Sequence, residues 1–419
     1  MAGARRPHAH PRRGRHPPDR ALAPGRQEEL VTDHRPPTGP VPPGHDRHRI
    51  GLPTSDSPVA SVVVLAWRLG EPLVACLEAL AAQRDAPPFE VVLVLNGASG
   101  EARAAAARVD GAVVVDLPEN AGFGGGCAAG ATAARGRALV LLNDDAVVAP
   151  TWLAALHARA RADDRPVAVG SLLLGADGRV QEAGCRILPD AGTVPRGRGL
   201  TEDEARAADL LRSRPVDYCS AAALWVDRET FDRVGGFDEL FAPAYYEDVD
   251  LQLRLRATGR PVVVEPAAVA AHLSGASTDS VPLYREFLGH RNGTLFARRW
   301  ADTLAAVPAE RTDGDDPLEV LPPDLGAAPA TDGDDAHPAV AADYVRWLAA
   351  EVARLRSEAV GAAVQLGELD EIRTELSRLQ AEHHETAQAS HAMLQHIEHL
   401  EAQGPLEALR SRWHAQHDR

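Results

Sequence analysis

Residues 61–96, SVVVLAWRLGEPLVACLEALAAQRDAPPFEVVLVLN, contain two apolar runs flanking a helical stretch. The runs SVVVLAW and FEVVLVLN are almost continuously Val and Leu, the pattern of a strand buried on both faces of a parallel sheet. Between them, EPLVACLEALAAQ spaces its apolar residues at helical intervals and carries Pro72 near its start, where a missing N–H costs nothing. Strand, helix, strand at this pitch predicts a parallel sheet covered by helices. The alternation continues outward through GEARAAAARV, GAVVVDL, GGCAAGATAARG and RALVLLNDD. After Asp145 it loosens into a helix from about Thr151, a strand PVAVGSLLL, a hairpin around GADGRVQEAG, and VDYCSAAALWV.

The composition sets outer bounds. A length of 419 residues with 45% hydrophobic content is enough to bury a full core. The formal charge of -16 argues against nucleic acid as a main partner, since phosphate binding needs clustered cations. All 44 basic residues are Arg, a coding bias rather than a functional signal. Cys76, Cys127, Cys185 and Cys219 stand far apart without C-x-x-C spacing, which suggests neither a zinc site nor a disulfide framework and fits a reducing compartment. No apolar run approaches the roughly 20 residues that span a bilayer, and the Arg-rich start lacks the apolar stretch of a secretory signal.

Four regions are expected. Residues 1–57, rich in Pro, Arg and His, lack the apolar content to order themselves. Residues 58–307 form the α/β domain, and 308–340, acidic and Pro-rich, read as a linker. In 341–415, Leu348, Val352, Leu355, Ala359, Ala362, Leu366 and Leu369 alternate spacings of four and three. Leu376, Leu379, Met393, Ile397 and Leu400 resume a heptad frame after a skip near Ile372. A coiled coil joining copies of the chain is the first reading, weakened by His383, Thr386 and Ser390 in the seam, and an amphipathic hairpin folding back on its own chain is the alternative.

Three clusters carry chemistry. Asn143, Asp144 and Asp145 stand where a buried strand ends, the edge at which open α/β sheets bind ligands. Adjacent carboxylates there suit a hard cation bridging to a diphosphate, or else form a simple Asp turn. ENAGFGGGCAAG, 119–130, places glycines where backbone N–H groups can approach an anion at a helix start. It also mimics a dinucleotide fingerprint, with Asp144 about 20 residues on, so an NAD(P)-binding oxidoreductase is a rival. Finally, AYYEDVDLQLRLRATG, 244–259, opens a helix with Glu247, Asp248 and Asp250. Capping the helix dipole needs one or two acids, not three.

Taken together, SVVVLAW, VVLVLNGASG, ENAGFGGGCAAG, LLNDDAVV, RVGGFDELFAPAYYEDVDLQLRLRATG and VAAHLSG resemble, in order and spacing, family 2 of the inverting glycosyltransferases, most closely its rhamnosyl- and galactofuranosyl-transferase members. The resemblance covers roughly residues 60–300. It implies the GT-A fold, a Rossmann-like mixed sheet, with the helical coiled coil added at the C-terminus. It also implies transfer of a sugar from a UDP- or dTDP-linked donor to a glycan or lipid-linked acceptor, in cell-envelope or polysaccharide synthesis. Asp145 and His272 become ligands of Mn²⁺ or Mg²⁺, Asp248 the base, and Glu247 the residue that contacts the acceptor or orients it. Ala66, Trp67, Asn96, Asn120, Gly122, Phe123, Gly124, Asn143 and Asp144 become the nucleotide-sugar contacts. Asp250 is left as the capping acid.

Trp67 could instead fill core, as could Trp225, Tyr245 and Tyr246, which otherwise offer sugar platforms. Leu95 and Gly100 stand where the family usually has acids, so a nucleotide-sugar-binding module without turnover is a second rival. The expected location is cytoplasmic, with peripheral contact at the inner face of the membrane.

Overall fold

A computed structural model of the chain describes residues 49–273, 282–323, 336–366 and 369–401. The tail before 49 and the linker residues 324–335 lie outside the described residues. Two compact units divide at residues 337 and 338.

The first unit is built on one sheet. Its strands are β1 (Ala60–Ala66), β2 (Phe89–Asn96), β3 (Val113–Leu117), β4 (Ala138–Asn143), β5 (Ala146–Val148), β6 (Ala168–Leu174), β7 (Val180–Glu182), β8 (Arg214–Pro215), β9 (Ala223–Asp227) and β10 (Val262–His272). The order is β8-β10-β6-β9-β4-β1-β2-β3, with β5 pairing β10 and β7 pairing β6. As the apolar runs predict, β1, β2, β3 and β4 are parallel. Beyond them the sheet is mixed: β9 runs antiparallel to both β4 and β6, while β10 is parallel to β6. The loosened alternation after Asp145 is the cause, because antiparallel neighbours can be joined without a crossover helix.

Helices α1 (Glu71–Ala81), α2 (Gly100–Ala106) and α4 (Trp152–Ala160) cover one face of the sheet, burying Leu73, Leu77, Ala102, Trp152 and Leu156. Helices α3 (Gly122–Ala133) and α5 (Glu247–Arg256) cover the other. Contact of α3 with β1 is intimate: a Cβ on Gly126 would come within 2.3 Å of Leu65 Cδ1. This glycine is a packing requirement.

Both expected boundaries move outward. Ile50–Gly51 pairs with Val109–Asp110, and Ile50 and Leu52 are buried in the core, so the unit begins before residue 58. At the other end the expected linker starts as a strap. Arg311 bonds the buried Asp217, which also accepts from Leu318 N at 2.7 Å, and Leu318 is itself buried.

Asp250 does not cap α5. The cap position is Tyr246, which makes no side-chain cap bond. Asp250 is fully buried and accepts from Arg254 Nε at 2.7 Å, and from Arg299 Nη1 and Trp300 Nε1 at 3.0 Å each. Arg299 closes α6 (Pro282–Arg299), so this carboxylate fastens α5 to the helix that follows the sheet.

The second unit comprises α7 (Ala336–Leu366, 31 residues) and α8 (Leu369–Glu401, 33 residues). Residues 367–368, beside the skip in the heptad frame, lie outside the described residues. On α8 the seam residues Leu376 and Met393 are exposed, as is Leu394.

Removing one member of a buried ion network leaves its partners uncompensated, at a cost of about 3–5 kcal/mol. Asp250→Ala should lower the unfolding free energy by about that amount in a guanidinium titration.

Candidate active site

The pairing of β5 with β10 assembles one side of the site. Ala146 lies opposite His272 in that register, and Leu273 N donates to Asp145 O at 3.2 Å. Asp145, one residue before β5, therefore meets the last residue of β10: Asp145 Oδ1 is 3.2 Å from His272 Nε2. Asn143 Nδ2 stands 3.2 Å from the same nitrogen, and Gln181 Nε2 3.1 Å from Nδ1. Asp144 turns to the neighbouring strand and accepts from Trp67 N at 3.2 Å. Burial and the charge of Asp145 push the Asp144 carboxyl up to about 7. The Trp67 ring lies under the Arg68 guanidinium, 3.9 Å from its centroid, and Ala66 is buried at the end of β1.

The other side is built on the Ser220–Ala221 peptide. Ser220 N donates to Glu182 Oε1 at 2.7 Å and Ala221 N to Asp248 Oδ2 at 3.1 Å, so consecutive amides hold two carboxylates. Val249 N donates to Asp248 Oδ1 at 2.9 Å, and Asp248 stays half-buried. Burial raises its pKa. Glu247 is buried, its Oε2 has no hydrogen-bond partner among the described residues, and desolvation together with the Asp248 charge pushes it well above the carboxylate range. Burial also lifts Glu182 to about 7, with Asp248 adding to the rise and His272 opposing it. Glu182 thus senses both sides, and the two acid groups share one site.

Glu247 and Asp248 emerge from a strained turn. Tyr245 and Tyr246 both hold left-handed backbone, at φ 74° and 70°, where non-glycine residues seldom sit. The buried amide of Asn292 on α6 clamps that turn, donating to Phe241 O, Ala244 O and Tyr245 O at 2.7, 2.8 and 2.9 Å. Tyr246 is a clamp as well as packing: its hydroxyl donates to Ala191 O at 2.9 Å and its ring lies 5.2 Å from Phe296. Trp225 is core, its ring beside His157 and only 6% exposed.

The glycine loop is not an open anion cradle. Ala121 N donates to Asn96 Oδ1, Gly122 N to Asn120 Oδ1 and Phe123 N to Pro243 O, so three successive amides are engaged inside the protein. Gly122 has φ +76°, and a Cβ there would lie 2.5 Å from Pro243 O. Asn96 is buried, donating to Asn120 Oδ1 and Gly122 O, and so braces this loop from below. Phe123 stacks edge-on with Phe237, and a Cβ on Gly124 would touch the same side chain. Asn120 remains exposed.

Sequence reasoning passed over Gln181, Glu182 and Asn292. The one local signal was the polar pair Gln181–Glu182 within a short strand, which was read only as part of a hairpin.

Residues 61–222 match the model for glycosyl transferase family 2. The chain carries a glycosyltransferase family 2 domain. Over 262 residues it is 29% identical to the N-acetylglucosaminyl-diphospho-decaprenol L-rhamnosyltransferase of Mycobacterium tuberculosis, covering 57% of this chain and 83% of that enzyme. Over 290 residues it is 31% identical to the O-antigen biosynthesis protein RfbC of Myxococcus xanthus, covering 62% of this chain and 21% of that protein. The chain spans about a fifth of the length of the larger curated relatives it matches. Among solved structures, a mannosyltransferase from Pyrobaculum calidifontis in complex with GDP-Man and Mn²⁺ aligns with a TM-score of 0.43 at 17% identity, covering 78% of this chain and 85% of that one. The glycosyltransferase family 2 match contains the Asn143–Asp145 turn, Gln181, Glu182 and Ala221, whereas Asp248 and His272 lie beyond it. The fold, not sequence proximity, joins them to the matched domain.

Glu182 makes the site's electrostatics measurable. Its folded pKa of about 7 stands above the ordinary 4.5, so the folded chain holds a proton that the unfolded chain has released between those values. Stability from this group is complete below about pH 4.5 and is lost as the pH rises through about 7. In metal-free buffer, wild type should therefore lose on the order of 3 kcal/mol relative to Glu182→Gln between those limits, at about 1.4 kcal/mol per pKa unit, measured by urea unfolding across pH.

Proposed function

We propose that the chain transfers one sugar, with inversion, from a nucleotide-diphosphate donor to a hydroxyl of a glycan or lipid-linked acceptor. The observation that carries this reading is the placement of Asp248. It is a half-buried carboxylate, fixed by Ala221 N and Val249 N, in the site that holds the Asp145–His272 pair. An acceptor O–H gives its proton to the Asp248 carboxylate while the oxygen bonds to the anomeric carbon and the bond to the diphosphate breaks. Burial keeps Asp248 a better proton acceptor than an exposed aspartate. Glu247 would orient the acceptor through its unpartnered oxygen.

A divalent cation suits this chain. Asp145 and His272 offer a hard carboxylate oxygen and an imidazole nitrogen 3.2 Å apart, and Asp144 beside them is a carboxylate that burial pushes up to about 7. Among the described residues no group of three or more His, Cys, Asp or Glu side chains could hold a metal, so two protein ligands would leave the remaining positions to diphosphate oxygens. Bound there, Mn²⁺ or Mg²⁺ would neutralise charge on the departing diphosphate.

The donor base is proposed as uracil or thymine, read by Trp67 and Asn120 rather than by an acid after β2, where Leu95 is buried. The acceptor class follows the name of the mycobacterial relative, which specifies a lipid-linked diphosphate sugar. Work at a membrane surface would be peripheral: among the described residues no helix is long and apolar enough to cross a bilayer. The exposed Leu376 and Met393 favour self-association through residues 341–415.

In transfer assays Asp248→Asn should cost about 10²- to 10⁴-fold with donor binding retained. Asp145→Ala and His272→Ala should instead weaken Mn²⁺-dependent UDP binding in calorimetry, with Asp144→Ala doing so less. Near-normal turnover in the first variant, or unchanged affinity in the second pair, would remove those assignments. Light scattering should find the full chain dimeric and a chain ending after residue 323, which keeps the strap, monomeric and active; a monomeric full chain at micromolar concentration would defeat the proposed self-association.

A further inference from the structure

We propose that Gln181 is a positioning residue that presents His272 to the cation, its side-chain amide turning from donor to acceptor at His272 Nδ1. The inference rests on the metal reading above. It begins from the buried imidazole, whose two nitrogens have different surroundings. Nε2 faces Asp145 Oδ1 and Asn143 Nδ2, each at 3.2 Å, while Nδ1 faces Gln181 Nε2 at 3.1 Å.

A neutral imidazole carries one N–H. With the proton on Nε2, the ring donates to Asp145 and accepts from the Gln181 amide at Nδ1. That form offers a cation no lone pair at Nε2. To ligate through Nε2 the proton must sit on Nδ1, and it then needs an acceptor. Gln181 Oε1 is buried and has no hydrogen-bond partner among the described residues. Half a turn of the amide exchanges its oxygen and nitrogen and supplies that acceptor. In the same form Asn143 Nδ2 can donate to the free Nε2 until a cation takes its place.

The scaffold keeps Gln181 at this post. It is the middle residue of β7, whose neighbours Val180 and Glu182 pair with Leu174 and Leu173 of β6. Alternation along the strand sends Gln181 to the imidazole and Glu182 to the Ser220 amide. A carboxylate at 181 could serve only the cation-ready tautomer, and a leucine could serve neither. Ligand histidines usually donate their second N–H to such a partner, and losing that partner typically costs 10- to 100-fold in metal affinity.

The test titrates MnCl₂ into the full chain with and without saturating UDP, read by calorimetry and by the electron paramagnetic resonance signal of free Mn²⁺. Gln181→Leu should weaken Mn²⁺ by roughly 10- to 100-fold in the presence of UDP. Gln181→Glu, which retains the acceptor, should bind Mn²⁺ at least as tightly as wild type. Wild-type affinity in Gln181→Leu overturns the proposal, and so does a loss in Gln181→Glu as large as that in Gln181→Leu. If Gln181→Leu does not fold, the Gln181→Glu titration still decides, because a merely structural amide predicts weakened binding there. A wild-type chain that binds UDP but no Mn²⁺ overturns the metal reading and this one together, a result distinct from failure in the variants alone.

Discussion

The pairing of three residues of β5 with the end of β10 is the constraint on which the site depends. The first half of the sheet is an ordinary run of parallel strands, and its edge would end in a turn at Asp144. Because β5 returns antiparallel to β10, the turn is folded over the last residue of a strand more than a hundred positions away. Asp145 and His272 then need no flexible loop to find each other. The same sheet carries β7 on the far side of β6, so residues 181 and 182 reach the imidazole and the Ser220 amide from a third direction. Rigid strands, not loops, therefore set the spacing of the polar groups, which is the condition for a preorganised site.

Gathering carboxylates at that edge has an electrostatic cost. Asp144, Glu182, Glu247 and Asp248 are all driven upward by loss of water, and like charges among them add to the rise. By contrast Asp250, only two residues from Asp248, sits among two guanidinium groups and an indole N–H. One helical turn thus carries acids with opposite surroundings. Asp248 is held by backbone amides, while Asp250 faces the protein's own cations.

Periodicity made the first half of the fold legible, because strands buried on both faces leave uninterrupted Val and Leu runs that few other structures require. The Asn143–Asp145 turn was legible for the same reason: two acids after such a run stand out. The antiparallel half was less so, since β5, β7 and β8 are two or three residues long and leave no periodic trace. Asp250 was misread because a first-turn acid has a sufficient local explanation, and only the three-dimensional approach of α6 reveals Arg299 and Trp300. The glycines of 122–126 misled in the opposite way: the sequence shows that backbone can approach something there, but not that Pro243 and Leu65 are what approaches. The strap failed as a linker because its composition is polar, yet the buried Asp217, together with Arg186 and Arg256, holds it to the unit.

Tyr245 and Tyr246 give the site an unusual dependence. Each left-handed residue costs of order 1–3 kcal/mol, and such strain persists only where surrounding structure over-determines it. Here much of that determination comes from one amide on α6, outside the matched domain. The strands fix the Asp145–His272 pair, and a separate helix braces the turn from which Asp248 emerges. Changes in the sheet would therefore bear on the Asp145–His272 pair, while changes in α6 would bear on the turn that carries Asp248. Drift in a helix that carries none of these acids could thus turn the Asp248 carboxylate without disturbing the strands.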